Sequence, residues 1–74
     1  MPKIPPIKVA KLLKILYRLG FIEHKRTAIG HRHLRHEDGR RTTVSVHPGD
    51  VPRGTLGAIL KDIDLSPEEF IELL

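Results

Sequence analysis

Apolar residues near the N-terminus recur at intervals of three and four positions, which is the period of a helix with one buried face. The apolar positions are Val9, Leu12, Leu13, Leu16 and Leu19, and the basic positions between them are Lys8, Lys11, Lys14 and Arg18. Gly20 follows at once, and glycine readily takes the left-handed conformation just past a helix end. The pattern therefore predicts an amphipathic helix that begins near Lys8 and is closed by Gly20.

The centre of the chain consists of short runs rich in β-branched, aromatic or polar residues, separated by turn-forming residues, as is typical of antiparallel strands. These runs predict strands over residues 21–25, 31–36 and 42–47. The second and third runs flank Glu37-Asp38-Gly39-Arg40, and a central Asp-Gly favours a tight hairpin turn. We therefore expect the second and third strands to pair as a hairpin.

Two further helices are predicted after a loop over residues 48–54. Thr55 is a suitable N-cap for the first of them. Its apolar stripe consists of Leu56, Ile59, Leu60 and Ile63. The second begins at Ser66, where Pro67 fits the first helical position and Glu69 is placed to complete a capping box.

This order of elements predicts an α+β fold, a small two-layer α-β-β-β-α(-α) domain. Its three-stranded antiparallel sheet should have helices packed on one face, because the apolar faces of sheet and helices must cover each other. Residues 1–7 include Pro5 and Pro6 and are expected to form a flexible N-terminal arm. Residues 8–74 are expected to form a single domain, with any ligand on an open surface.

Charge and cysteine content narrow the function classes. Residues 1–53 carry twelve of the thirteen Lys and Arg residues and four of the nine Asp and Glu residues, a balance of +8. The other residues have a balance of −4, so one end of the chain suits a polyanion. The absence of cysteine excludes thiol nucleophiles and thiolate zinc sites. No apolar stretch resembles a signal peptide or membrane span, which favours a cytoplasmic protein.

Histidine is the residue type most suggestive of chemistry in this chain. Four of the five histidines fall within the first two predicted strands: His24, His31, His33 and His36. Alternation along a strand places His31, His33 and Arg35 on one face and Arg32, Leu34 and His36 on the other. A proton-transfer group beside an arginine is what ribonucleolytic cleavage requires, since one takes the 2′-hydroxyl proton and the other holds the charge on phosphorus.

Two other interpretations of these histidines stay open. His31 and His33 have the spacing of paired metal ligands on a strand, and His36, Asp38 or His47 would complete a set. Alternatively, the histidines are solvated side chains of a surface strand, which is common for strands of this composition. The residues alone favour neither catalysis nor metal binding over this third interpretation.

A set of short motifs, in order and spacing, resembles the HicA (YcfA-type) toxin family. The motifs are Gly20-Phe21, Gly30-His31, the run from His36 to Arg40, Thr43-Val44, Val46-His47, Gly54-Thr55-Leu56, Ile59-Leu60, Leu65-Ser66, Glu69-Phe70 and Leu73-Leu74. They cover nearly the whole chain from about Val9. The sequence departs from the family pattern at Ile29, His33, Leu34, Ser45 and Asp64.

The resemblance implies a fold like that of double-stranded-RNA-binding domains and a toxin that cleaves mRNA without a metal or other cofactor. It also implies neutralisation by a HicB-type antitoxin. The catalytic histidine of the family falls on His31, and the partner acid would be His33, a water molecule or no group at all. The basic residues expected to bind RNA are Lys25, Arg26, Arg32, Arg35, Arg40 and Arg41. Leu34 stands where the family usually has an aromatic residue, which would remove a surface for base stacking.

Two functions other than that of an enzyme remain. The same fold and basic surface would serve a non-catalytic RNA-binding module, which recognises RNA by shape and phosphate contacts. A structural domain that docks a protein through residues 61–74 is the other. For the lysines of the first helix, Lys8, Lys11 and Lys14, a solvated surface is favoured over an RNA contact.

Overall fold

The computed structural model describes residues 3–26 and 30–74, with Lys25 and Arg26 described by their backbone alone. The helices and strands are α1 (Val9–Arg18), β1 (Ile22–Arg26), β2 (His31–Arg35), β3 (Arg41–Ser45), α2 (Arg53–Asp62) and α3 (Pro67–Glu72). This order and the antiparallel sheet confirm the predicted α+β layout. None of the helices in the described part of the chain is long and apolar enough to cross a membrane.

The three strands form one antiparallel sheet in the order β1-β2-β3. The hairpin between β2 and β3 closes as its Asp-Gly turn predicts: the His36 N–H donates to the Arg40 carbonyl at 2.9 Å, and Gly39 has a φ of 102°. The register between β1 and β2 shifts between Glu23 and Lys25. His24 is the residue at this irregularity, so β1 bends where it borders the middle of β2.

Helix α1 buries four of the five apolar residues that its periodicity predicts, all but Leu19, which is partly buried, and it buries Ile15 in addition. Gly20 follows the helix end as expected, and its φ of 101° reverses the chain. The N–H of Phe21 then donates to the Leu16 carbonyl at 3.0 Å, which satisfies a backbone oxygen of the last turn. The reversal leads directly into β1.

One face of the sheet packs on the helices. In β3, Thr42 and Val44 are buried and the three residues that alternate with them are exposed, and in β2 Leu34 is completely buried. Leu34 belongs to the same core as Leu12, Leu16, Phe21 and Phe70. The expectation that Leu34 removes a surface for base stacking was therefore wrong, because any side chain at this position, aromatic or not, lies inside the core.

Helix α2 begins earlier than its sequence predicts. Pro52 occupies the N-cap position and the Leu56 N–H donates to its carbonyl at 2.8 Å, so Thr55 lies within the first turn and does not cap the helix. The fixed φ of proline suits a helix start, and this competes with the capping preference of Thr55. After α2, Asp64 has a φ of 59°, in the left-handed region that aspartate tolerates better than most residues.

The structure matches the prediction at the C-terminal end of the chain and differs from it in the predicted N-terminal arm. Helix α3 has the predicted capping box, with Ser66 accepting from the Glu69 N–H and Glu69 accepting from the Ser66 N–H. Within the predicted N-terminal arm, Ile7 is buried and its carbonyl accepts from the Val51 N–H at 2.8 Å. Ile4 also packs against the core, so the packed part of the chain begins before Lys8.

Candidate nucleic-acid interface

The sheet has a second face that the helices do not cover, which we call the open face. Leu34 points into the core, so its neighbours His33 and Arg35 lie on the opposite side of β2, and alternation puts His31 there as well. Arg32 shares the side of Leu34. The open face of β2 thus carries His31, His33 and Arg35, as the sequence predicts.

His31 is the first residue of β2 and is half-buried. Its partner across the strands is Ser45, at the end of β3. The preceding residue, Gly30, accepts a hydrogen bond from the Val46 N–H at 2.9 Å and has a φ of 82°, which favours glycine. Pairing with the end of β3 therefore fixes the backbone that presents His31.

A row of three polar side chains crosses the open face next to His31. His33 in β2 lies opposite Thr43 in β3, and the Thr43 hydroxyl is hydrogen-bonded to Nδ1 of His33 at 3.0 Å. On the other side, the rings of His24 and His33 meet edge to face with their centroids 6.2 Å apart. His33 is consequently held from both neighbouring strands.

A second row consists of Arg35 and Arg41. They are partners across β2 and β3, and both are exposed. Two guanidinium groups side by side repel each other unless an anion lies between them, and guanidinium geometry matches phosphate. Ile22 lies opposite Arg35 on β1 and is 55% exposed.

Two shallow depressions follow these rows. One, of about 340 Å³, extends from His24 and His33 to the flank of α2, where Thr55 and Asp62 form its far wall. The other, of about 560 Å³, includes Ile22 and Arg35. Arg41 lines both, so the two depressions meet at its side chain. His31 lies outside them, two residues along β2 from His33.

Arg32 lies on the other face of the sheet. One of its terminal nitrogens donates to the Tyr17 hydroxyl at 3.3 Å, and its Nε is 3.9 Å from a carboxylate oxygen of Glu23. The structure therefore does not bring Arg32 together with His31, although the two residues are adjacent in the sequence.

Arg40 connects the hairpin turn to the end of α2. Its Nε donates to Asp38 at 2.8 Å, its terminal nitrogen donates to the Ile63 carbonyl, and its guanidinium carbon lies 5.2 Å from the Phe21 ring centroid. The backbone N–H of Arg40 also donates to Asp38, and this bond, together with the guanidinium, holds the pKa of Asp38 below its ordinary value. These contacts give Arg40 a structural role.

The side chains of Lys25 and Arg26 lie outside the described residues, and their backbones pair with His33 and Arg32.

The remaining two histidines have local roles. The Nδ1 of His36 accepts from the Asp38 N–H at 3.1 Å, its Nε2 is 3.2 Å from the Leu19 carbonyl, and its ring meets the edge of Phe21. His47 is bonded to the carbonyl of Pro48. Throughout residues 3–26 and 30–74, no three histidine or acidic side chains come together in an arrangement that holds a metal ion.

Sequence reasoning did not identify the row of His24, His33 and Thr43. A signal was present, because the Asp-Gly turn sets the register of the hairpin and thereby pairs His33 with Thr43. The contact between His24 and His33 could not be predicted from the sequence, since it depends on the irregularity in β1. Identifying the whole row requires the register of all three strands.

Comparison with known protein families gives a match. The model of the family described as "HicA toxin of bacterial toxin-antitoxin" matches residues 9–65, which extend from the first residue of α1 to just before α3. The matched segment includes the whole sheet and therefore the open face. None of the curated proteins compared with the chain matches it.

Proposed function

The chain belongs to the HicA toxin family of bacterial toxin–antitoxin systems, and from this premise we propose that it is an mRNA interferase, an endoribonuclease in which His31 carries the chemistry. The observation that supports this proposal best is the position of His31, on a face that is free of helices and also carries Arg35 and Arg41. A long, flexible polyanion can reach such a face, whereas an enclosed pocket would exclude it. The site of action would be the cytoplasm, where message is translated.

The proposed reaction is an internal phosphoryl transfer. His31 takes the proton of a ribose 2′-hydroxyl, whose oxygen attacks the adjacent phosphorus. The bond from phosphorus to the 5′-oxygen of the next nucleotide breaks, which leaves a 2′,3′-cyclic phosphate and a 5′-hydroxyl. Negative charge develops on the phosphoryl oxygens during this step, and in this proposal Arg35 and Arg41, which lie on the same face toward the other end of β2, extend their guanidinium groups toward it. The proposed step uses no metal ion or cofactor.

The proposed RNA-binding surface extends beyond these two arginines. Lys25 and Arg26 belong to β1, which borders β2 at His33 and Arg32, so their positive charges add to the potential along that edge. Arg32 and Arg40 add to the same potential from the other face and from the hairpin turn. Both guanidinium groups are hydrogen-bonded to protein groups, so we expect them to contribute positive potential more than direct contacts to phosphate.

Membership of this family also implies a cognate antitoxin. We propose a HicB-type protein that covers the open face, because a chain lying across His31 and the arginines would exclude RNA. A complex in which the open face stayed accessible to RNA would contradict this form of inhibition.

The experiment that tests the proposed function compares wild type with His31→Ala. Loss of a general base lowers the rate of RNA cleavage by about 10²–10⁴-fold, while the affinity for a 2′-O-methyl RNA, which lacks the nucleophile, should stay within about twofold because the phosphate contacts remain. His47→Ala is the matched control, since His47 is exposed and bonded only locally. Undiminished cleavage by His31→Ala would refute the assignment.

A non-catalytic RNA-binding module is the alternative. The exposed pair of Arg35 and Arg41 is the observation that favours it, because this pair can bind phosphate with no proton transfer. In that case the wild type would bind RNA and leave it intact, and growth of cells expressing it would not depend on His31.

A further inference from the structure

We propose that His33 is a second catalytic residue, the general acid that protonates the 5′-oxygen as it leaves. This inference rests on the proposed function, in which His31 is the base. His33 is one of the residues at which the chain departs from the family pattern, since the family commonly has an apolar residue at this position. It starts from the hydrogen bond between His33 and Thr43 on the open face.

The spacing of the two histidines suits the reaction. Residues two apart on a strand point to the same side and are separated by roughly 6.6 Å. In the proposed transfer, the attacking 2′-oxygen and the departing 5′-oxygen lie on opposite sides of the phosphorus atom. A phosphodiester lying along β2 can therefore place its 2′-hydroxyl at His31 and its 5′-oxygen at His33.

The bond to Thr43 orients the ring of His33. Nδ1 is the nitrogen within 3.0 Å of the Thr43 hydroxyl, and within the described part of the chain Nε2 has no protein partner. In the protonated ring both nitrogens carry hydrogen, so Nδ1–H donates to the Thr43 oxygen and Nε2–H is directed to a substrate oxygen. After proton transfer the hydroxyl can reverse its role and donate to Nδ1. The same partner thus serves both states of the ring.

The surroundings of His33 accommodate the nucleotide that follows the cleaved bond. His33 lines the depression of about 340 Å³ that reaches α2. Among the side chains that the structure describes, the charged and titratable groups that line this depression with His33 are His24 from β1, Arg41 from β3 and Asp62 from α2. Asp62 accepts a hydrogen bond from the Thr42 hydroxyl at 3.0 Å, which holds its carboxylate at the far wall. Arg41 lies in the same strand as Thr43, two residues before it, and lines the same depression.

The proton balance closes without another reactant. His31 begins neutral and gains the 2′-hydroxyl proton, and His33 begins protonated and gives its Nε2 proton to the 5′-oxygen. One P–O bond forms and one breaks, and no electrons are transferred to or from the RNA. Exchange of one proton from His31 and one to His33 with water restores the starting state.

The test uses a substrate that needs no acid. The cleavage site of the wild type is mapped on an ordinary RNA, and the same RNA is then made with sulfur in place of the bridging 5′-oxygen at that site. A thiolate leaves without protonation. We expect His33→Gln to lower the cleavage rate of the ordinary RNA about 100-fold and to cleave the sulfur-containing RNA within about threefold of the wild-type rate. His31→Ala should remain slow on both substrates.

The pH profile gives a second readout. The base must be neutral and the acid protonated, so wild-type kcat/KM should rise and then fall as pH increases. His33→Gln should lose the fall at high pH and keep the rise. Thr43→Val leaves His33 in place without its hydrogen-bond partner. It should reduce the cleavage rate less than His33→Gln does, and its kcat/KM should still rise and then fall with increasing pH.

The outcomes separate this inference from the proposed function. If His31→Ala abolishes cleavage and His33→Gln cleaves ordinary RNA as fast as wild type, His33 is no acid and the proposed function stands. If His33→Gln is equally slow on both substrates, while its circular dichroism spectrum and unfolding midpoint match those of wild type, His33 acts in binding and the inference is wrong. If wild type cleaves no RNA, both proposals fail.

Discussion

At the scale of single residues, Gly20 shows how a backbone requirement and a packing requirement coincide. Its φ of 101° is strained for any residue with a Cβ, and a Cβ built there would lie 3.0 Å from Nε2 of His36. That same nitrogen is 3.2 Å from the Leu19 carbonyl, which it can satisfy as a donor. His36 therefore closes the end of α1 from the side of the sheet, and only glycine leaves room for it.

We predict opposite effects for two alanine substitutions. Gly20→Ala should lower the free energy of unfolding by about 1–3 kcal/mol, because the left-handed backbone and the contact with His36 both oppose a methyl group. Gly57→Ala should raise it by about 0.5–1 kcal/mol, because Gly57 is exposed within α2 and a Cβ there meets no atom within 4 Å. Urea unfolding followed by circular dichroism measures both. A Gly20→Ala protein as stable as wild type would contradict this account of the helix end.

At the scale of elements, the hairpin of β2 and β3 depends on the turn that Asp38 organises. The carboxylate accepts from the backbone N–H of Arg40 at 3.1 Å and from its guanidinium at 2.8 Å. The guanidinium in turn reaches the carbonyl of Ile63 at the end of α2. The strand that carries His31 and His33 is therefore tied to the helix layer through one turn.

The lowered pKa of Asp38 predicts how stability depends on pH. The backbone N–H of Arg40 favours the charged form in the folded protein, so the pKa of Asp38 lies below its ordinary value of 3.8. Such a group stabilises the fold above its unfolded pKa, and that contribution is lost as pH falls through the folded pKa. We expect the decline in unfolding free energy below about pH 4 to be shallower in Asp38→Asn, measured by urea unfolding at successive pH values.

A control for this prediction is available in α3. The N–H of Ser66 lowers the pKa of Glu69 in the same way, and Glu69→Gln keeps the capping box while removing the titrating group. A protein with both Asp38→Asn and Glu69→Gln should therefore show a still shallower decline in unfolding free energy at low pH than Asp38→Asn alone. A decline in Asp38→Asn as steep as in wild type would mean that the turn does not contribute to acid sensitivity.

The sequence predicted those elements whose local signals agree with one another. The apolar period of α1 with Gly20 after it, the Asp-Gly turn and the Ser66 capping box all reappear in the structure. The start of α2 did not, because Pro52 and Thr55 give competing local signals and the choice between them depends on packing. The irregularity at His24 leaves no local signal at all, since it arises from pairing with β2.

For the candidate interface, alternation along β2 correctly separated His31, His33 and Arg35 from Arg32 and Leu34. It did not indicate which face the helices cover, so the sequence could not show that the position of Leu34 is buried and offers no surface for base stacking. The roles of Arg32 and Arg40 could not be read from the sequence either, because their partners Tyr17 and Ile63 are distant along the chain. Their positive charge was visible, but their hydrogen bonds were not.

At the scale of the whole molecule, one layer of helices lies on one sheet, and the described residues measure 34 × 29 × 18 Å. A body this thin has two broad surfaces, the open face and the outer side of the helices. Both carry cations: Arg35 and Arg41 on the former, and the exposed Lys11 and Lys14 of α1 on the latter. Positive charge attracts RNA to both surfaces, so net charge alone does not determine which of the two surfaces binds RNA.

The salt dependence of binding distinguishes the two surfaces. Each phosphate contact contributes about 0.7–0.9 to the slope of log affinity against log salt concentration, because binding releases a counterion. Replacing Arg35 and Arg41 with Gln should therefore reduce that slope by about 1.4–1.8 on a 2′-O-methyl RNA, which cannot be cleaved. Replacing Lys11 and Lys14 with Gln removes the same charge from α1 and should leave the slope nearly unchanged. Since the net charge of the two variants is equal, a general loss of attraction would affect both alike. A reduction in the lysine variant alone would place the RNA across α1 and would remove the premise that the open face is the interface, and an equal reduction in both variants would mean that neither surface is the specific interface.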